Sequence, residues 1–506
     1  MRLPTSSPHR RTAGPLVVSK ANPRYFAIEL DEEGSQRLVY LTGSHVNNNF
    51  QDGAGPAPDC ADTPEQFDYD AYLIFLKDHG HNFIRLWRWE HIRSQVANGA
   101  FHLCMTPQPW LRTGPGVACD GKPKFDLFSH DEHYFERLRD RVVAACDNEI
   151  YVSLMLFDGF GLHLSQAPDN IEGHPFHASN NINGIGITSI IDYQVLPLDA
   201  RVQAIQESYL RKVVDTVQGL PNILYEVANE SSGTAADTVQ LPDGSRIATP
   251  IGDSTLWQYW VINFVRQHER KKGHTVHPIG MTMQYPVSDR SKVNRPLYDS
   301  SADWISPGDD DPDSALAPDG SSRLANWLID PPANDGRKII ISDTDHYSPM
   351  QSSALWVWKS FLRGHNPILY DLGIVNGVNP PDPTTGQPSY QSLESARVAM
   401  GEARRLAEQV NLAAMTPRGD LSSTGYALIE PGGEYLVLQD DEALTPFTLL
   451  LEPGSYSVTW YRIDSRQIRI VYNIGVERAE ARVFTPPFEK AGAALLHLKC
   501  LRAETS

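Results

Sequence analysis

Eight short apolar runs, separated by amphipathic stretches, constrain this chain more than any other feature. They are L-V-Y-L-T-G (38–43), N-F-I-R-L-W-R (82–88), E-I-Y-V-S-L-M-L-F (149–157), N-I-L-Y-E-V-A (222–228), H-P-I-G-M-T-M (277–283), A-D-W-I-S (302–306), K-I-I-I-S (338–342) and N-P-I-L-Y (366–370). Runs of this length with little polar alternation read as strands buried on both faces, the condition of a parallel sheet. Helical patterns fall between them. F-D-Y-D-A-Y-L-I-F-L-K-D-H follows the first run, and H-Y-F-E-R-L-R-D-R-V-V-A-A-C precedes the third. A-R-V-Q-A-I-Q-E-S-Y-L-R-K-V-V-D-T-V, T-L-W-Q-Y-W-V-I-N-F-V-R-Q and A-L-W-V-W-K-S-F-L lie further on. Eight strand–helix units over roughly 390 residues predict an α/β chain folded as a (β/α)8 TIM barrel. The helical pattern is weakest after the sixth run, where D-D-D-P-D-S-A-L-A-P-D-G reads as loop.

The texture changes after a helix expected to end near Ala414. T-P-R-G-D marks a turn. G-Y-A-L-I-E, E-Y-L-V-L, F-T-L-L-L, Y-S-V-T-W-Y, A-R-V-F-T and A-A-L-L-H-L then follow, separated by P-G-G, E-P-G and similar breakers. Closely spaced strands of this kind predict a small antiparallel β-sandwich. The expected division is a flexible N-terminal arm over 1–21, a catalytic barrel over 22–414 and a sandwich over 415–506. The sandwich reads either as a carbohydrate-binding module or as a buttress on the barrel. The lack of an obvious aromatic platform favours the buttress.

The net charge of −18 argues against nucleic-acid binding, which needs a basic footprint, and against adhesion to an anionic membrane. The five cysteines (Cys60, Cys104, Cys119, Cys146, Cys500) show no C-x-x-C spacing, and their odd count suits a reducing compartment better than a disulfide framework. The start has basic residues but no apolar stretch of signal-peptide length, and no later run approaches the ~18 apolar residues of a membrane span. A soluble, cytoplasmic protein is expected. The oligomeric state is left open.

Two acids end predicted strands. Glu230 closes P-N-I-L-Y-E-V-A-N-E and Asp343 closes K-I-I-I-S-D. An acid at the end of a buried strand is costly unless it is paired or working, and in a parallel barrel the carboxyl ends of the strands carry the chemistry. Two carboxyls converging there can break a glycosidic bond. Glu230 can act as general acid while Asn229 holds a sugar hydroxyl. The structural alternative is a helix-start glutamate beside a capping residue. N-E-S also matches a glycosylation sequon, which its place at a strand end argues against. Asp345 shares a strand face with Asp343 if the strand continues, which makes it a rival nucleophile or a neighbour that sets its ionisation. With His346, the two aspartates also read as a metal cluster, although hard-metal sites gather more oxygens and transition-metal sites want a second histidine. No metal is expected. D-D-D-P-D at 309–313 lacks the glycine and glutamate of a calcium loop.

Further polar and aromatic residues fall at the same predicted rim. Arg85, with Trp87 and Trp89, ends the second strand; an arginine there can orient a carboxylate and keep it ionised. The tryptophans suit the apolar face of a sugar ring, or pack under helices. His45, Asn47 and Asn49 follow the first strand, Asp158 the third and Gln284 the fifth. Each is a candidate substrate contact or a loop hydrogen-bonder.

With these residues placed, the chain resembles clan A glycoside hydrolases, retaining (β/α)8 enzymes with the acid/base on strand four and the nucleophile on strand seven. Asn229 and Glu230 match the clan's Asn-Glu pair. The seventh strand, Ile339-Ile340-Ile341-Ser342-Asp343-x-x-His346, is similar to the apolar-apolar-apolar-x-E-x-x-H pattern of beta-galactosidases in that clan, with Asp where the clan has Glu. The shorter side chain requires either a closer strand or Asp345 in the role. N-P-R-Y-F…L-V-Y-L-T-G-S-H-V-N-N-N-F-Q-D, with G-Y-A-L-I-E-P-G-G-E-Y-L-V-L and P-G-S-Y-S-V-T-W-Y, resembles an apiosidase-like subgroup. Some members of that subgroup carry a collagen-binding label at the C-terminus. The resemblance implies a retaining exo-type glycosidase acting on a carbohydrate without a cofactor. Glu230 would serve as acid/base and Asp343 as nucleophile, with Arg85 and Asn229 orienting the nucleophile and the sugar. An inverting hydrolase, a catalytically inactive carbohydrate-binding protein and a metal-dependent hydrolase are the alternatives.

Overall fold

The computed structural model describes residues 14–31, 34–54, 60, 66–96, 101–163, 169–233, 239–240, 246–247, 252–285, 287, 293–308, 326–347, 352–371, 391–441 and 443–501. Every predicted apolar run contributes to one eight-stranded sheet. Its strands are β1 (Gly43–His45), β2 (Phe83–Leu86), β3 (Tyr151–Asp158), β4 (Ile223–Asn229), β5 (Ile279–Thr282), β6 (Trp304–Ser306), β7 (Ile339–Asp343) and β8 (Asn366–Tyr370). β2 to β8 neighbour one another in chain order, and β1 lies beside β8. The sheet is a nearly closed parallel (β/α)8 barrel.

Helices α1 (Tyr69–Asp78), α2 (Glu132–Asp147), α3 (Ala200–Val217), α4 (Thr255–Lys272), α5 (Arg295–Asp299), α6 (Ala354–Leu362) and α7 (Glu394–Ala407) follow β1 to β5, β7 and β8 in turn. After β6 the described residues give a single turn, Asn326–Ile329, and the acidic loop at 309–320 lies outside them. The helix expected to reach Ala414 ends at Ala407. Local signals set the other boundaries. Asp199 accepts the amides of Arg201 and Val202 to start α3. Gly273, at φ 68°, ends α4 behind Arg270, Lys271 and Lys272.

Two sequence expectations need correction here. Residues 36–39 belong not to the barrel but to a three-stranded sheet with Leu16–Val18 and Phe26–Glu29. The chain between that sheet and β1 is held by buried asparagines: Asn82 accepts from the Thr42 amide and donates to the Tyr40 carbonyl, and Asn366 accepts from the Leu41 amide. These side chains replace strand partners, so the apolar run splits in two. The same sheet shortens the expected arm, because Leu16 is fully buried.

The connections from β1 to α1 and from β2 to α2 also carry strands that the sequence did not announce. Ser94–Val96, Phe101–Thr106 and Asp52–Ala54 pair as a small sheet, and Trp110–Val117 pairs antiparallel with Pro123–His130. Cys60 and Cys104 are joined by a disulfide, while Cys119, Cys146 and Cys500 form none among the described residues. This pairing departs from the expectation against a disulfide framework. Among the described residues, no helix is long and apolar enough to cross a membrane.

The chain divides into two compact units, Met1–Leu16, His45–Phe75 and Phe83–Leu324 in one, Val17–Ser44, Leu76–Asn82 and Ala325–Ser506 in the other. In the first, β3 and β4 are buried along their whole length. Gly280 on β5 is required there, because a Cβ would lie 1.9 Å from the Trp304 ring.

In the second unit the C-terminal strands are β9 (Thr416–Pro417), β10 (Ala427–Glu430), β11 (Glu434–Gln439), β12 (Phe447–Leu451), β13 (Gly454–Arg462), β14 (Ile468–Val476), β15 (Glu480–Phe484) and β16 (Ala494–Cys500). They form a six-stranded sheet, β9-β10-β11-β16-β13-β14, and a two-stranded sheet, β12-β15. Alternate residues of the larger sheet serve two cores. Ile429, Tyr435, Val437, Leu496 and Leu498 pack with Phe447, Leu449 and Phe484 between the sheets. Leu428, Leu436, Leu438 and Leu495 point the other way, onto Trp356, Val357 and Phe361 of α6 and Met400 and Ala403 of α7. Burial of each such leucine contributes roughly 1.5–3 kcal/mol. The double burial explains why E-Y-L-V-L and A-A-L-L lack polar alternation.

Buried histidines make the fold acid-sensitive. Burial pushes His81 and His365 down to about 3 from an ordinary 6.5, and lowers His174 as well. Each folds neutral, so its contribution is complete above pH 6.5 and is lost as pH falls towards the folded value. The thermal midpoint is expected to fall steadily between pH 6.5 and about pH 4. Melting curves across that window check this, and a flat midpoint would contradict it.

Candidate active site

Alternate strands of a parallel barrel share a layer of interior side chains, and β2 and β4 are alternate. Parallel pairing sets Arg85 opposite Ser153, and Met155, two residues on, opposite Glu226. Arg85 and Glu226 meet behind β3. Arg85 Nε donates to Glu226 Oε2 at 2.8 Å and Nη2 donates to Oε1 at 2.6 Å, a bidentate pair with both side chains almost wholly buried. Nη2 also donates to Asn229 Oδ1 at 2.8 Å. Two predicted site residues are therefore in direct contact, and Glu226, unrecognised in the sequence, joins them. A signal was present: a carboxylate within I-L-Y-E-V-A is buried by its neighbours and must have a cationic partner.

Glu230 follows Asn229 at the carboxyl end of β4, with its backbone in the left-handed region at φ 43°. That conformation costs a non-glycine residue energy and concentrates at functional sites. The neighbouring chain fixes it. Gly159, just past β3, donates its amide to the Asn229 carbonyl at 2.8 Å, and a Cβ there would come within 2.3 Å of the Glu230 carbonyl oxygen. Beyond Glu230, the Ser231 and Ser232 carbonyls accept from the Tyr285 and Ser254 amides. The Gln284 side chain donates to the Ser232 carbonyl, Ser254 Oγ and Asp253. Gln284 thus braces the segment after Glu230 against the start of α4.

Other predicted rim residues also make structural bonds. Asn49 donates to the Arg85 carbonyl and accepts from the Trp87 amide, and Gln51 accepts from the Trp89 amide. Together they imitate a strand edge beside residues 85–89. Trp89 donates its indole N–H to the Asn47 carbonyl at 2.6 Å and meets Phe160 edge-on. Trp87 stacks on buried His45 with centroids 5.9 Å apart, and the Arg85 guanidinium lies 4.8 Å from its ring. Neither tryptophan is more than 4 % exposed, so of the two readings of these rings the structure shows the packed one.

Asp158, fully buried, accepts the Phe160 and Gly161 amides. Burial first, then the charge of Glu90, holds its carboxyl well above the usual range. Glu90 was not anticipated either. It accepts from Tyr193 Oη at 2.5 Å, His174 Nε2 at 3.1 Å and the Asp158 amide at 2.8 Å. Burial raises its pKa, but the Arg88 guanidinium and these partners outweigh that and draw it down to about 2.

In the second unit, β7 ends at Asp343, which is fully buried. Its carboxylate accepts the Asp345 amide at 3.0 Å and caps a 3-10 turn, Thr344–His346. The strand does not continue, so the argument that Asp343 and Asp345 share a strand face fails. Asp345, Asp343 and His346 each place one ligand atom within 4.8 Å of the others. That spacing suits a metal, although three ligands with one histidine leave most of a coordination shell to be supplied. Just past β8, Asp371 is held bidentately by Arg397 at 2.6 Å, both fully buried.

The fold is that of glycoside hydrolase barrels. One solved structure, described as "Glycoside hydrolase", aligns with a TM-score of 0.56 and 12% identity over 97% of this chain and 98% of its own. A family 5 glycoside hydrolase from Bacteroides vulgatus ATCC 8482 aligns with a TM-score of 0.57 and 12% identity over 97% and 94%. Likeness at this identity defines the fold. No family model and no curated protein matches the sequence.

Proposed function

We propose that this chain is a retaining, exo-type glycoside hydrolase of the apiosidase-like kind, acting on a terminal sugar of an oligosaccharide or glycoside. The observation that carries the reading is Glu230 at the carboxyl end of β4, in a left-handed backbone conformation beside an Asn229 amide gripped by Arg85. Glu226, Asp158 and Asp371 each make hydrogen bonds that shape the barrel. The alignments with glycoside hydrolases over nearly the whole chain support the same class.

Glu230 protonates the leaving oxygen while Asp343 attacks the anomeric carbon and forms a glycosyl ester. Glu230 then removes a proton from the water that cleaves the ester. The proposal assigns the attack to Asp343, which ends β7, with Asp345 in the following turn as the rival. The packing of the sandwich on α6 and α7 supports its reading as a buttress. A screen of nitrophenyl glycosides, pyranose and furanose in both anomers, tests the proposal. Release of nitrophenol from at least one sugar is expected. No release from any, by well-folded protein, would refute it.

A further inference from the structure

Glu226 lies on β4 four residues before Glu230, fully buried, and its carboxylate holds two of the Arg85 donors. Arg85 has only donors, so the Asn229 atom it grips must be the amide oxygen, and the Asn229 NH2 is directed elsewhere. The amide orientation is therefore set by the guanidinium, and the guanidinium is set by Glu226.

We infer that Glu226 is a positioning residue for catalysis: it locks Arg85 so that the Asn229 amide presents its N–H donors to a sugar hydroxyl beside the reacting carbon. The inference rests on the glycosidase reading above and deepens it. Without a carboxylate at 226, Arg85 is a buried cation lacking its main partner, and the bond to Asn229 Oδ1 no longer has a fixed donor. Misplacement of a substrate-orienting group by about 1 Å can cost about 10²-fold.

The test uses whichever nitrophenyl glycoside the wild type cleaves, together with its monodeoxy analogues. Asn229→Ala identifies the hydroxyl concerned, as the one whose removal makes that substitution cost nothing further. Glu226→Gln, which keeps the side-chain shape, is expected to lower kcat/KM on the parent glycoside by about 10²-fold and to leave the matching deoxy analogue within a few-fold of wild type. In an Asn229→Ala background Glu226→Gln should add little, because the two act through one contact. Equal losses on parent and deoxy substrates, or full additivity with Asn229→Ala, would show a merely structural role and overturn the inference. If the Gln variant does not fold, Glu226→Asp, which draws the charge back by one methylene, is read in the same way. A wild type that cleaves no glycoside refutes the glycosidase reading itself, which is distinct from an active wild type with an indifferent Glu226 variant.

Discussion

Asp343→Asn is expected to abolish turnover of every glycoside that the wild type cleaves, by about 10⁴-fold or more, the scale on which removal of a nucleophile collapses a catalytic unit. The substitution is nearly isosteric, and the amide oxygen can still accept the Asp345 N–H that shapes the turn after β7. Loss of activity with an unchanged melting temperature would therefore report on chemistry rather than on folding. Asp345→Asn separates the rivals. Its backbone amide, not its side chain, makes the bond to Asp343, so the variant should keep the turn and lose far less activity. The reverse ranking would move the nucleophile into the turn.

Glu230→Gln is expected to slow hydrolysis by about 10²–10⁴-fold, the range for a lost general acid–base group. The loss should depend on the leaving group. A nitrophenolate departs without a proton, so glycosyl transfer to Asp343 continues while attack by water, which needs the base, becomes limiting. KM should fall with kcat, and azide, a nucleophile that needs no deprotonation, should restore turnover as a glycosyl azide. Equal loss on activated and unactivated substrates, with no azide effect, would remove Glu230 from the acid/base role.

The fold was legible because the barrel strands are buried on both faces and advertise it as unbroken apolar runs. Where a run misled, at residues 38–43, buried asparagines substituted for strand neighbours, a pairing that composition does not encode. β14 was passed over although I-R-I-V-Y-N-I-G-V is strand-like, because the breakers around it are weak. The small strands and the disulfide that link the β1–α1 and β2–α2 connections depend on partners distant in sequence. At the candidate site, Arg85, Asn229 and Glu230 could be placed on or at the end of barrel strands from the sequence alone. The roles of Glu226 and Glu90 could not be read there, since a buried carboxylate is explained only once its partner is seen. Asn49, Gln284 and Asp158 were legible as rim residues but not as braces, because an amide or carboxylate near a strand end has the same sequence signature whether it meets sugar or backbone.

The side chain to which a glycosyl group becomes attached tests double displacement most directly. A dinitrophenyl glycoside of the sugar identified by screening, mixed with Glu230→Gln protein, should build up an adduct with the mass of one glycosyl unit, and peptide mapping should place it on Asp343. An adduct on any other side chain, or steady hydrolysis that yields inverted sugar and no adduct at all, would contradict the proposed mechanism.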